Sequence, residues 1–348
     1  MSIQPKVINP EVDKRWDEYV LRHPSGSIYH HSAWGKVLQL TYDHTPFYVA
    51  LERTETGQFE GIVPLLLIKS WLTGKRLVSL PFTSYCDRLV PGSELENIIS
   101  FALEHHPDID YLELRFLEDI NYESGTLEKQ SSYVTHILEL DVSLEQLFKS
   151  FHNTSVRQRI KRAEKNKLKL RMAEQEVDLW EFYELETTVR KKHGLPPQPY
   201  AFFANMWRIL KPKNFLFVPM IEHKGKVIAA ATVLRFKDTV YFEYSASDQN
   251  SRKLCPNQKL IWEVIKIAHR DGAKFFDFGR SSLANQSLID FKERWRAKGR
   301  GLTYHYFPKA KRLDSESGLG REILSAINRI LPAPLLKLEG RLLYPHLS

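Results

Sequence analysis

Cysteine is scarce in this 348-residue chain: only Cys86 and Cys255 occur, far apart, and neither sits in a CxxC motif or a Cys/His cluster. A disulfide framework is excluded, and a reducing compartment fits best. The histidines are no better placed for a metal. His30-His31, His105-His106 and His193 lack ligand spacing with Cys, Asp or Glu, so no metal is expected. Cys255 has no evident partner that would make it a nucleophile. No run approaches the roughly 18 uninterrupted apolar residues of a membrane span. The opening MSIQPKVINPEVDKRW has no apolar core of a secretory signal. A Gly-rich first turn and repeated βαβ alternation are both absent, which argues against a doubly wound nucleotide-binding sheet. There is no RRM, KH or zinc-finger pattern, so base-reading is not expected. The expected location is the cytoplasm, with contact at the inner face of the membrane as the further expectation.

What is present is ordinary for a globular chain: 43% hydrophobic and 26% charged residues, with enough length for two domains. The charge is unevenly spread. Net charge is +8, yet residues 151–171 and 291–313 each carry eight Lys/Arg against one Glu. The rest of the chain is therefore net acidic. Two concentrated basic segments suit an anionic partner such as a phosphorylated ligand, tRNA or an anionic membrane surface, or else are solvated faces. The leucine-rich tail from 321 to 348 mixes apolar and basic residues with prolines. It is expected to pack back on a domain, with peripheral membrane contact as the sharper alternative.

An internal echo sets the fold expectation. FYVALERTETGQFEGIVPLLLI, LVSLPFTSYCD, LENIISFALEHH and IDYLELRF in the first half are matched by NFLFVPMIEHKGKVIAAATVLRF, TVYFEYSASD, NQKLIWEVIKIAHRDG and AKFFDFGRS in the second. Tyr111 and Phe275 lie 164 positions apart, as do Ile98 and Trp262. Gly57 and Gly225 fall between alternating apolar runs, where a hairpin wants positive φ. Residues 227–232 are small or apolar on both faces, which predicts a strand covered on both sides. Apolar spacing over Leu260–Ala268 predicts a helix that Gly272 terminates. Between the halves, Ser143 is an expected N-cap, and Leu179, Trp180, Phe182, Tyr183 and Leu185 are an expected core-facing set. Strand–strand–strand–helix–strand used twice is how an acetyltransferase-type (GNAT) fold reads. The expected class is α/β (α+β): tandem GNAT-like, acyl-CoA N-acyltransferase-like domains with mixed sheets flanked by helices. The expected domains are 1–142, joined by the tail 316–348, and 143–315, which carries a basic helical insert and the transfer site.

Three stretches resemble the Fem-type and Fem-related GNAT-like family: SIYHHSAWGKVL (27–38), SVRQRIKRAEKNKLKL (155–170) and, most specifically, residues 241–307. The last contains YSAS, PNQKLIW, FDFGRS and FKERW in the family's order. The resemblance implies a transferase whose best-known relatives move an amino acid from aminoacyl-tRNA to an amine on a peptidoglycan-precursor peptide. Others are linked to exopolysaccharide or envelope systems. It implies that Phe291-Lys292 is the pair at the reaction centre. It also implies that Lys36, two residues after Trp34, grips acceptor phosphates, with Leu38 as the alternative register. The family often has Trp-Gly-Ala where this chain has Trp295-Arg296-Ala297.

Acyl transfer to an amine requires deprotonation of the amine, stabilisation of the carbonyl oxygen and alignment of both substrates. Lys292 follows an apolar Leu288-Ile289…Phe291 cluster that should fix it, and it could stabilise the oxyanion or a phosphate. Asp277 should face away from Phe276 and Phe278 on its strand. It could hold the amine, act as a base or pair with Arg280, and burial would raise its pKa unless Arg280 or a donor compensates. Tyr244, Ser245 and Ser247 could bind a carbonyl or position a proton. Lys36 and Trp34 join Ser245, Ser247, Arg280 and Phe291 as expected substrate-binding residues. Arg157, Arg159, Lys161, Arg162 and Arg252 are expected anion or tRNA contacts, sensitive to salt. A coenzyme A site would need a Gly-rich pyrophosphate loop at a helix start. The corresponding RKLCPN (252–257) has no glycine. No tightly bound cofactor is expected. The donor is aminoacyl-tRNA or acyl-CoA, and the missing glycines favour a donor other than acyl-CoA. The expected function is an acyl or aminoacyl transferase acting on an envelope or polysaccharide precursor. An acyl-CoA-dependent N-acyltransferase and a non-catalytic module binding anionic glycolipid precursors remain as alternatives. The oligomeric state is left open.

Overall fold

A computed structural model describes residues 2–117, 128–307 and 319–347. The chain divides into two compact units. In the first, β1 (Ile3–Ile8), α1 (Arg15–Arg22) and α2 (Ser32–Tyr42) precede a meander of β2 (Thr45–Arg53), β3 (Phe59–Ser70) and β4 (Gly74–Val78). Gly57 takes φ 68 in the turn between β2 and β3, as the hairpin requires. A crossover through α3 (Leu95–His105) brings β5 (Tyr111–Phe116) parallel to β4, with Arg76 opposite Tyr111. Leu95, Ile98, Ile99 and Ala102 of α3 form one core with Val49, Val63, Leu65 and Leu77 of the strands.

The second unit repeats this pattern behind a helical insert. β6 (Glu128–Glu139) leads to α4 (Leu144–Ser150), α5 (Gln158–Lys165), β7 (Lys169–Met172), α6 (Leu179–Lys192) and α7 (Tyr200–Leu210). Ser143 caps α4 through a capping box with Gln146. The short β8 (Leu216–Phe217) and β9 (Pro219–His223) both pair with β10 (Lys226–Phe236), which is followed by β11 (Thr239–Ser247). Residues 227–234 of β10 are all buried, as their small apolar character predicts. α8 (Pro256–Arg270) then crosses over to β12 (Phe275–Ser282), parallel to β11 with Thr239 opposite Phe275. Tyr111 and Phe275 thus open the equivalent parallel strands of the two units. α9 (Gln286–Glu293), β13 (Lys298–Phe307), α10 (Leu319–Ile330) and α11 (Ala333–Leu343) complete the chain.

The boundaries differ from those read in the sequence. Unit 2 begins at Tyr133, because that end of β6 pairs with β12 from Ser282 to Phe275. Residues 303–307 of β13 pair with β5, so from 301 onward that strand belongs to unit 1. The expected boundary at 315 lies outside the described residues. The tail also divides. Residues 319–341 belong to unit 2 and only 342–347 to unit 1. The cause is side-chain anchoring in unit 2: Asn328 donates to Gly194 O, and Lys337 pairs with Glu184. The core-facing set of α6 is shifted as well. Trp180 is 48% exposed and Leu185 only half-buried, while Glu186 and Thr187 join Leu179, Phe182 and Tyr183 on the buried side.

Arg296, where the resemblance implies glycine, takes φ 64. A left-handed conformation costs an L-residue about 1–2 kcal/mol. Arg296→Gly is therefore expected to stabilise the chain by about 1 kcal/mol, less the extra entropy glycine brings to the unfolded state. A higher urea midpoint at unchanged slope would show it.

Candidate transfer site in the second unit

The FDFGRS stretch makes its own irregularity. Gly279 adopts φ 72, and the register of β12 against β6 shifts between Asp277 and Arg280. Such a bulge frees carbonyls from the ladder. Lys292 uses them: its Nζ donates to Gly279 O at 2.7 Å and to Arg280 O at 3.2 Å. α9 aims this side chain, because Asn285 caps the helix by accepting from Leu288 N and the inward face carries Ile289 and Lys292. Phe291 is half-buried against the unit's core. Lys292 is only 5% exposed. Burial brings its pKa down to about 8, against the opposing pull of the Asp277 and Glu243 carboxylates. An ammonium has three N–H donors. The third has no partner among the described residues.

Asp277 lies on the face opposite Phe276 and Phe278, whose rings sit in the core with α8. Its Oδ1 accepts from Thr135 Oγ1 and from Gly279 N, both at 2.8 Å. These donors, one of them supplied by the bulge itself, compensate the buried carboxylate. The Arg280 guanidinium lies over the Tyr133 ring at 4.5 Å, and the residue is exposed. Tyr241 faces Asp277 in register, and its phenol is pushed up by burial first and the carboxylate second.

Tyr244 is half-buried and packs edge-on against Phe202 and Phe203 of α7, at 5.6 and 5.5 Å between ring centres. It stands opposite Thr232, whose buried Oγ1 has no hydrogen-bond partner. Ser245 is exposed opposite Ala231, and Ser247 is half-exposed opposite Ala229. Asp248 caps the next turn by accepting from Asn250 N.

Three groups escaped sequence reasoning. Glu243 is half-buried and acts electrostatically on both Lys292 and Tyr241. His136 is 1% exposed with both ring nitrogens unpartnered, and burial together with Lys292 lowers its pKa to about 4. Glu186 is buried on α6, which packs on β10 and β11, and burial raises its carboxyl to about 7. The only available signal was an ionisable residue at an apolar position of the period, as in YFEYSAS and VTHILEL.

Of the residues expected to bind substrate, Lys36 and Trp34 belong to unit 1. Lys36 Nζ is paired with Glu11 at 2.7 Å. Trp34 is fully buried and packs edge-on against Tyr29, so it is a core residue rather than a ligand platform. Its aromatic bulk beside polar neighbours gave no way to tell these roles apart.

The insert carries the basic face. Val156, Ile160 and Ala163 turn inward on the helical stretch 153–165. That leaves Arg159, Lys161 and Arg162 exposed, with Arg157 half-buried. None of the four makes an ion pair among the described residues. At the start of α8, Cys255 takes φ 61 and Pro256 occupies the first turn. The preceding residues 249–254 form a 3₁₀ turn that leaves Arg252 exposed. No glycine cradle is available there for a pyrophosphate. Among the described residues, no group of three or more His, Cys, Asp or Glu is placed to hold a metal.

Comparison with known proteins agrees with the fold. Residues 150–293 match the family described as the acetyltransferase (GNAT) domain. The UDP-N-acetylmuramoylpentapeptide-lysine N(6)-alanyltransferase of Weissella viridescens is 20% identical over 308 residues, covering 82% of this chain and 89% of that protein. The crystal structure of FemX shares the fold with a TM-score of 0.71 at 15% identity, over 90% of this chain and 99% of that one. L-PGS from Bacillus licheniformis matches with a TM-score of 0.57 at 13% identity, over 95% and 99% of the two chains. Residues 150–293 thus match a GNAT-type acetyltransferase domain, and the described chain shares the fold of FemX.

Proposed function

We propose that the protein transfers an aminoacyl group from an aminoacyl-tRNA to an amine on a peptidoglycan-type precursor, working at the cytoplasmic face of the membrane. The observation that carries this is Lys292, held on two bulge carbonyls with one N–H left over, inside the segment that resembles the family's reaction centre. The alanyltransferase relative supports the acceptor class, since its name specifies a lysine amine of UDP-N-acetylmuramoylpentapeptide.

In the reaction, the neutral amine attacks the ester carbonyl carbon, a C–N bond forms and the carbonyl oxygen becomes an oxyanion. The Lys292 ammonium meets that charge from a buried position, where a fixed cation is worth more than in solution. Collapse breaks the C–O bond to the ribose. The proton lost by the amine goes to the departing hydroxyl, so atoms and charge balance. Asp277, held by Thr135 and Gly279, and Glu243 keep Lys292 charged near neutrality.

The unpaired cations of 157–162 support a tRNA donor, as does the absence of a glycine cradle at α8. The triple variant Arg159→Glu/Lys161→Glu/Arg162→Glu is expected to weaken tRNA binding at least about tenfold and to flatten its salt dependence, read by filter binding across a salt series. Unchanged affinity and slope would remove this face from the donor site.

The donor is tested directly. UDP-N-acetylmuramoylpentapeptide bearing a lysine amine is incubated with the protein and either labelled aminoacyl-tRNA or labelled acetyl-CoA. Label should enter the peptide from the tRNA alone. Transfer from acetyl-CoA alone would favour an acyl-CoA N-acyltransferase.

A further inference from the structure

The last two helices of unit 2 are fastened on one side and bare on the other. Inward, Asn328 donates to Gly194 O at 3.3 Å and to Glu339 Oε1 at 3.1 Å. Leu336 and Gly340 are buried, and a Cβ on Gly340 would come within 2.1 Å of Pro197 O. These contacts fix the roll of α10 and α11, so their outer faces cannot turn inward. Outward, Ile323, Leu324, Ile327 and Ile330 follow helical spacing and remain 43–80% exposed. Leu335 and Leu338 of α11 are about half exposed in the same way. Scattered exposed apolar residues need no explanation, but a run this dense marks a contact surface.

The flanking charge selects the occupant. Arg329 and Arg341 are exposed, and neither makes an ion pair among the described residues. A second copy paired by two-fold symmetry would bring these like charges to the same interface. An anionic lipid surface satisfies the cations and the apolar rows together. At about 1.5 Å per residue, helices of 12 and 11 residues are too short to cross a bilayer core and suit one lying in its surface. No helix among the described residues is long and apolar enough to span.

We propose that α10 and α11 dock on an anionic bilayer surface, with their isoleucines and leucines in the headgroup boundary and Arg329 and Arg341 on lipid phosphates. This deepens the proposed location at the membrane face but is independent of the transfer chemistry. The test therefore uses the full chain, both native and as Lys292→Met. Flotation is measured with vesicles of phosphatidylcholine alone and of phosphatidylcholine with about one-third phosphatidylglycerol. Both proteins should float with the anionic vesicles and much less with the neutral ones. Ile327→Glu/Leu338→Glu should cut partitioning at least about tenfold. Arg329→Gln/Arg341→Gln, which leaves the apolar rows intact, should lose most of the preference for anionic lipid. Far-UV circular dichroism is recorded for each variant. If the acidic variant unfolds, the glutamine variant alone decides. Failure of the native chain to float, or an unchanged lipid preference in Arg329→Gln/Arg341→Gln, overturns the proposal. So does a concentration-dependent dimer in sedimentation that accounts for the apolar faces.

Discussion

Lys292→Met is expected to lower kcat for transfer by about 10²- to 10³-fold, the range typical for loss of one group that stabilises an oxyanion. Binding of aminoacyl-tRNA should be unaffected, because the ammonium acts on charge that develops only in the transition state. Methionine keeps most of the buried volume, so a fall in activity with an unchanged melting curve isolates the charge. The pH dependence gives a second handle. Burial brings the Lys292 pKa to about 8, and in the proposed mechanism the group works as a cation. The rate of the native protein relative to Lys292→Met, a ratio that cancels titration of the acceptor amine, should therefore decline as pH rises through about 8, well below the range of an ordinary lysine near 10.5. If Lys292 instead acted as a neutral base, that ratio would climb through the same pH. The sign of that limb separates the two chemistries, and stopped-time assays of initial rate between pH 6.5 and 9.5 measure it.

Glu186→Gln should change stability rather than chemistry. Its carboxyl ionises at about 7 in the folded chain against 4.5 when unperturbed, because burial disfavours the anion and Arg190 compensates only in part. The unfolded state therefore releases this proton first. The contribution to stability is fully present below 4.5 and is lost as pH rises through 7. The loss amounts to at most about 3 kcal/mol. The native chain should thus weaken relative to Glu186→Gln between pH 5 and 8. Comparing the two at each pH cancels the other titrating groups. Urea unfolding at both pH values provides the measurement. Parallel pH profiles for the two proteins would show that Glu186 ionises normally.

Much of the architecture was legible because the code for it is local. The 164-residue echo from Tyr111 to Phe275 marked two strands that occupy the same place in each unit. Gly57, Gly225 and Gly272 take the positive φ that their positions demanded, and Ser143 forms its cap. The FDFGR stretch with its following Phe-Lys was legible as a unit. Its geometry was not, because the contact between Lys292 and the carbonyls of 279 and 280 depends on a register shift that no periodicity reveals. The same limit hid the donors to Asp277, since Thr135 lies on a strand 142 residues away in sequence. Domain boundaries failed for a related reason. Residues 301–307 read as a continuation of unit 2, yet pairing with β5 assigns them to unit 1. Apolar spacing alone put Trp180 and Leu185 on the inner side of α6, where the fold instead buries Glu186 and Thr187.

In the proposed reaction the cation held on the Gly279 bulge faces the oxyanion. The most direct test is binding of a tetrahedral phosphonate mimic that joins the acceptor amine side to the aminoacyl ester side. Calorimetry should give an affinity for Lys292→Met about 100-fold weaker than native, with ground-state ligands bound equally by both. Equal affinity of the two proteins for the mimic would contradict it.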